Sequence, residues 1–307
     1  MTPMKRLNKI LAALLAALLI LSFAAFAEEA QSNAIDKEAF DALVAGGPVA
    51  DDETVAASEW ASKVKEAGKL RVGTTAQSFL FSLLDEEDGH YRGFDAGLYQ
   101  LLANYIFGDP NAWEFTQVTS STREDVLISD QVDAVFATYS ILPSRQEVIS
   151  FAGPYFTSNQ GILVAAGNED IKGLDDLAGK IVVTQQGSSG PAILEEYAPE
   201  AEVLEEIDDE TARQDVEVGR ADAYVTDYTL ILGSIVRNPG KYAVAGIFGE
   251  DDNYGIGLPK DSDGVDFVNG FLKQIEDEGL WAQLWQISLG DRTGGAETAP
   301  EPPVIGE

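Results

Sequence analysis

The stretch that decides the fold is Thr119–Arg145, TSSTREDVLISDQVDAVFATYSILPSR. It reads as a helix, a short buried strand, and then a loop carrying hydroxyls and an arginine. The helix is expected from about Ser121 or Thr122, where a small hydroxyl can cap free N–H groups and Glu124 and Asp125 complement the positive helix end. Val132–Ala137 is a short apolar run suited to a strand buried on both faces. At the carboxyl end of such a strand the backbone opens, and small polar side chains can face a crevice. Thr138, Ser140 and Arg145 stand there. The stretch reads as half of a carboxylate-binding cleft.

Working outward, Lys69–Thr74 is a first strand, followed by the small and aromatic residues Thr75 to Phe81 and a hairpin signal at Asp88-Gly89. Gly93 opens a helix whose Phe94, Leu98, Leu101, Leu102, Tyr105 and Ile106 recur at helical spacing, giving one apolar face. Trp113–Val118 is a second strand. Strand, helix, strand, helix, strand is the grammar of a parallel sheet with crossover helices.

Downstream, Gln160–Ala165 and Lys180–Thr184 are strands, and Gln186-Gly-Ser-Ser-Gly-Pro191 is a turn into a helix. Such a turn either seats a carboxylate on its outward N–H groups, at Ser189, or simply caps the helix. The segment RQDVEVGRADAYVTD (213–227) then echoes EDVLISDQVDAVFAT (124–138): helix, turn, Asp-Ala pair, strand. The echo sets Thr138 and Asp227 at equivalent strand ends. Tyr242–Phe248 and Tyr254–Leu258 are further strands, and Val265–Trp285 is amphipathic, with its tryptophans assigned to the core.

A chain of 307 residues calls for two lobes, and its 45% apolar content supplies their cores. A net charge of −32 excludes nucleic-acid binding, which needs a basic stripe. The absence of cysteine removes disulfides, thiolate chemistry and a lipid anchor on cysteine. The single histidine, His90, belongs to the hairpin turn, so neither a histidine triad nor a multi-histidine metal site is expected, and no cofactor is implied. Lys5, Arg6 and Lys9 precede an apolar run ending in Ala25-Phe26-Ala27, a secretory signal peptide over 1–27. Residues 28–56 read as an acidic, flexible leader and 291–307 as a disordered, proline-containing tail.

Three charged residues are candidates for chemistry. Arg123, in the first turn of its helix near Ser120, either faces an anion or pairs with Glu124 or Asp125 on the surface. Arg145 offers a fork for bidentate carboxylate binding, or an ion pair with Glu147 or another acid. Asp227 accepts from an ammonium group, or caps a turn.

The runs GFDAGLYQLLA, REDVLISDQVDAVFATYSILPSRQEVISFAGPYF, QGILV, VTDYTLILG and DNYGIGLPKD resemble the polar amino-acid-binding proteins of ABC importers, solute-binding protein family 3. They are most similar to its Gram-positive glutamate-binding branch. The resemblance implies an α/β, two-lobed, type II periplasmic-binding-protein-like fold with two crossover hinge strands and the ligand between lobes. Lobe 1 would be 57–159 plus 252–290, and lobe 2 would be 160–251. Carried over by position, Arg145 takes the α-carboxylate with Ser140, Thr138 and the helix start at Ser189, and Asp227 takes the α-ammonium with the Thr138 region. Ser120 and Arg123 hold a side-chain carboxylate, and Phe79 covers the aliphatic part. Thr75 stands where some acidic amino-acid binders carry a basic residue, which leaves glutamine and aspartate open beside L-glutamate.

The function so implied is an extracytoplasmic, monomeric binding protein that closes on an amino acid and docks on ABC-transporter permease subunits. The rival is a lyase of the cyclohexadienyl-dehydratase type on the same scaffold. A lyase needs a general acid over the substrate; the sequence offers neither a histidine nor an unassigned acid in the expected cleft.

Overall fold

The computed structural model describes residues 33–294 and 298–306. The expected signal peptide at 1–27 lies outside the described residues. Among the described residues eleven strands occur in this order: β1 Leu70–Thr74, β2 Gln77–Ser78, β3 Ser82–Leu84, β4 Tyr91–Arg92, β5 Trp113–Gln117 and β6 Ala134–Phe136. They continue as β7 Ser150–Ala165, β8 Ile181–Gln185, β9 Glu202–Glu206, β10 Ala223–Asp227 and β11 Tyr242–Leu258. Eight of them form one sheet in the order β5-β1-β6-β11-β7-β10-β8-β9.

Strands β1, β5 and β6 are parallel, as are β8, β9 and β10. Between these two halves run the long strands β7 and β11, paired antiparallel from Tyr242 opposite Ala165 to Leu258 opposite Ser150. Each passes from one half to the other, so the two lobes share a two-stranded hinge. Their register shifts between Phe248 and Asp252, at the crossing. An irregular ladder with fewer bonds is where such a ribbon can bend.

The echo between the two halves has a physical origin. Asp133 donates its N–H to the Arg71 carbonyl and accepts the Arg71 N–H on its carboxylate, at 2.8 Å each. Asp222 does the same for Ile181, again at 2.8 Å each. In both lobes this aspartate starts an inner strand by satisfying the first backbone groups of its parallel neighbour, which otherwise lack partners. The strand then delivers Thr138 or Asp227 to the cleft.

Three expectations are corrected. Residues 37–45 and 52–56 are helices, capped by Asp36 and Asp51, rather than a flexible leader. Phe40, Leu43, Val44 and Val55 are buried in the same core as Leu98, Leu101, Trp281 and Leu284. Full burial of side chains of this size stabilises by roughly 1.5–3 kcal/mol each, enough to hold an acidic segment in place. In consequence the helix Phe94–Phe107 is buried on nearly every side rather than on one face. Its Asn104 amide donates to the carbonyls of Gly47 and Pro48 at 2.8 and 3.3 Å, tying down the incoming chain. The tail is also placed along its described residues: Ala299 and Ile305 pack on the core, and the Gly306 N–H donates to the Gly153 carbonyl at 2.9 Å.

Candidate functional site

The cleft lies where β6, β10 and the hinge meet. Its inner chamber, a narrow space of about 40 Å³, is lined by Ser120, Arg123, Thr138 and Ser140 of one lobe and by Gln160, Gln185, Ser188, Ser189, Thr226 and Asp227 on the other side. An outer chamber of about 120 Å³ opens from it past Phe79, Gln117, Leu230 and Arg213.

Thr138 has a positive φ of 42°, uncommon for a β-branched residue. Asp95, fully buried at the start of its helix, holds it there: Thr138 N–H donates to one carboxylate oxygen at 3.0 Å and the Tyr155 hydroxyl to the other at 2.7 Å. Burial raises the Asp95 carboxyl to about 6 despite those bonds. The turn after β6 therefore points its polar groups at the chamber because a buried acid fixes its backbone.

Arg123 starts the helix Arg123–Ile128, whose N-cap Thr122 makes no side-chain capping bond. The expected cap is replaced by a bond between the Thr122 hydroxyl and the Thr119 N–H at 2.9 Å. The guanidinium of Arg123 is buried over the Tyr139 ring, 4.0 Å from its centre, and donates through Nη1 to the Ala137 carbonyl at 3.0 Å. Its Nε has no partner. Burial pulls it down to about 10, with the nearby Arg145 charge acting in the same direction, so it remains a cation at neutral pH.

Arg145 is placed differently. Its guanidinium centre lies 5.2 Å from the middle of the same Tyr139 ring, and it does not line the chamber. Its three nitrogens are engaged by the Ser140 carbonyl at 2.9 Å, the Gly187 carbonyl at 3.0 Å and the Glu124 carboxylate at 3.4 Å. Glu124, rather than Glu147, is its acid. The Gly187 contact crosses between lobes, as does Ser120 Oγ to Gln185 Oε1 at 3.4 Å. Gly187 has φ +73°, and a Cβ there would lie 2.6 Å from Ser121 Cα, so the two walls meet only because this residue has no side chain.

On the opposite wall Asp227 accepts from the Tyr254 hydroxyl at 2.6 Å and from Gln160 Nε2 at 2.9 Å. Gln160 Nε2 also reaches Asp252 at 3.1 Å, and Asp252 accepts from Ser140 Oγ at 3.0 Å. Burial raises both carboxyls, and the charge of Asp227 pushes Asp252 further, to about 8. Two acids bridged by one amide cannot both ionise cheaply in so buried a place. The pair therefore favours sharing one proton between them.

The structure thus brings Ser120, Arg123, Thr138, Ser140, Ser189 and Asp227 around one chamber, puts Phe79 on its outer part and leaves Arg145 beside Tyr139, outside the lining. The model of the bacterial extracellular solute-binding proteins, family 3, matches residues 70–290. The chain belongs to that family. A glutamine-binding protein of Geobacillus stearothermophilus is 34% identical over 68% of this chain and 80% of its own length. The glutamate-binding protein GluB of Corynebacterium efficiens is 29% identical over 74% of this chain and 80% of its own. Among solved structures, the ancestral amino acid-binding protein AncCDT-1, a precursor of cyclohexadienyl dehydratase, aligns with a TM-score of 0.66. It is 29% identical, and the alignment covers 74% of this chain and 97% of its own.

For this family member, sequence reasoning missed Gln160, Gln185, Thr226 and Asp252. Gln160 and Asp252 lie on the hinge strands, where the adjacent small and polar residues Asn159, Asp251 and Asn253 in an otherwise apolar strand are the only local sign. Among the described residues no helix is long and apolar enough to cross a membrane.

Proposed function

We propose that this protein is the extracytoplasmic receptor of an amino-acid ABC importer, binding a polar or acidic L-amino acid between lobes 57–159 plus 252–290 and 160–251. L-glutamate is the best single ligand. The observation that carries this reading is the pairing of unmatched charges across the chamber. Arg123 is buried with a free Nε and, among the described residues, no carboxylate in ion-pair reach; Asp227 faces it as a buried acceptor. A zwitterion satisfies both: a carboxylate on Arg123, assisted by Ser120, Ser140 and Ser189, and an ammonium on Asp227 beside Thr138. Phe79 covers the side chain. Buried charges are tolerated only when paired, so these two groups favour a ligand that supplies their partners.

The second carboxylate of glutamate requires Arg145. That arginine would exchange the Gly187 carbonyl or Glu124 for the ligand, and the charge-assisted bond gained is stronger than the carbonyl bond lost. If Arg145 instead keeps Glu124, the free charges match a neutral polar amino acid, and glutamine is the second reading. Ligand contacts to both walls stabilise the closed arrangement, which the membrane subunits then recognise, with the receptor acting as a monomer and without a cofactor. The lyase reading gains one feature from the structure, the raised carboxyl of Asp252, but that acid is bonded to Ser140 and Gln160 and does not line the chamber. A general acid must reach its substrate.

The test is calorimetry of ligand-stripped protein against L-glutamate, L-glutamine, L-aspartate and L-histidine. One-to-one binding led by glutamate supports the full reading, and a lead for glutamine keeps the class while leaving Arg145 with Glu124. Binding of none of them rejects the reading.

A further inference from the structure

The family match ends at residue 290, and the chain then turns through the short helix Asp291–Thr293. Arg292 on that turn is nearly as buried as any charged residue in the protein, at 3% exposure. Its Nη1 donates to the Phe79 carbonyl at 2.8 Å and to the Ser288 carbonyl at 3.3 Å. Its guanidinium centre lies 4.1 Å from the middle of the Phe79 ring. Phe79 in turn lines the outer chamber.

We propose that Arg292, supplied from beyond the family domain, is a positioning residue that sets the ring of Phe79 over the ligand. This rests on the reading of the cleft given above. The neighbours of Phe79 explain why such a residue is needed. Leu80 and Phe81 are fully buried, and the Phe81 N–H returns to the Ser78 carbonyl at 3.2 Å, so the backbone of the loop is anchored. Phe79 itself is only partly buried, so its ring is less constrained than its neighbours. A cation on one face and a bond to its own carbonyl fix both ends of the residue. Ordering a side chain before the ligand arrives removes that cost from binding.

The guanidinium also acts on the ring. Burial lowers Arg292 to about 10, so it stays charged at neutral pH. A cation is attracted to the negative face of an aromatic ring. With one face occupied, the cleft-facing side is left less attractive to a second cation, which suits a neutral or acidic side chain better than a basic one.

Two measurements test this. In the first, 4-fluorophenylalanine is placed at position 79 and its 19F line is read without ligand in wild type, Arg292→Lys and Arg292→Ala. Arg292→Ala should shift and sharpen the line as the ring is released, and Arg292→Lys should lie between. An unchanged line overturns the proposal, and this holds even if the protein binds no amino acid. In the second, affinity for L-glutamate and L-glutamine is measured for Arg292→Ala, Phe79→Ala and the double variant. Arg292→Ala should weaken binding about three- to tenfold, the size of one partly desolvated cation–ring contact. It should weaken it no further once Phe79 is gone. An equal loss in both backgrounds would mean that Arg292 merely ties down the chain end, and the proposal fails. Absence of wild-type binding would instead reject the function proposed above.

Discussion

The two walls of the cleft are built by the same device and carry opposite charge. On one wall, Asp133 starts β6, the strand ends at Thr138, and two guanidiniums share the Tyr139 ring behind it. On the other, Asp222 starts β10, which ends at Asp227, an acid held by Tyr254 and Gln160. Backbone topology repeats between the lobes; electrostatics does not. The difference teaches that the fold supplies two strand ends aimed at one space, and that the residues placed on them decide what can bridge it. On the function proposed above, a ligand with a carboxylate at one end and an ammonium at the other would lie across the chamber in one orientation.

The largest break of this comparison is removal of the anionic wall. Asp227→Ala leaves the ligand ammonium in a buried site without its charge partner, which typically costs 2–5 kcal/mol or about thirty- to several-thousand-fold in Kd. The loss should be the same for glutamate and glutamine in calorimetry. Unequal losses would mean that Asp227 contacts the side chain rather than the common ammonium.

Next is the cationic wall. Arg123→Met keeps much of the volume over Tyr139 and removes the charge, and should weaken amino-acid binding by about tenfold or more. Here the ratio between ligands is informative. A loss confined to glutamate assigns Arg123 to the side-chain carboxylate, as the family resemblance implies. A matched loss for glutamine assigns it to the α-carboxylate, as its place in the inner chamber suggests. Smaller still is Glu124→Gln. It frees Arg145 from an ion pair at 3.4 Å and should tighten glutamate a few-fold while leaving glutamine nearly unchanged. No change in either ligand would show that Arg145 does not leave its present partners.

These contrasts also mark how far the sequence could be read. Parallel strands, crossover helices and the two strand ends were legible because each is written locally: a short apolar run, an Asp-Ala pair, a small polar residue after it. The positions of Thr138, Ser140, Ser189 and Asp227 followed. Which arginine faces the chamber did not, because Arg145 is turned away by Glu124 and by Gly187 of the opposite lobe, two partners remote in sequence. Asp252 escaped notice for the same reason, since its neighbours Ser140 and Gln160 come from other strands. The leader and tail were misread through composition. An acidic average conceals Phe40, Leu43 and Ile305, and the surfaces that receive them belong to elements far along the chain.

The last and smallest effect concerns the hinge acid that lies between the walls. Asp252 holds its proton up to about 8 in the folded chain, against an ordinary value of 3.8, because it is buried and because Asp227 is close. Between those two values the folded protein binds more protons than the unfolded chain, so this group's contribution to stability falls as pH rises through the window. Arg145 and the Ser140 hydroxyl act against the shift, and both remain in place when Asp252 is replaced. Asp252→Asn keeps an acceptor for Ser140 and Gln160 but cannot ionise. It should therefore flatten the pH dependence and raise Tm on the order of a few degrees at pH 8, with little change at pH 5. The same acid links the walls to the ligand: an ammonium arriving at Asp227 favours the ionised pair, so binding near pH 7 should release a fraction of a proton. Calorimetry in two buffers of different ionisation enthalpy reads that release directly. Its persistence in Asp252→Asn would move the proton to Asp227 itself and make the hinge acid a bystander.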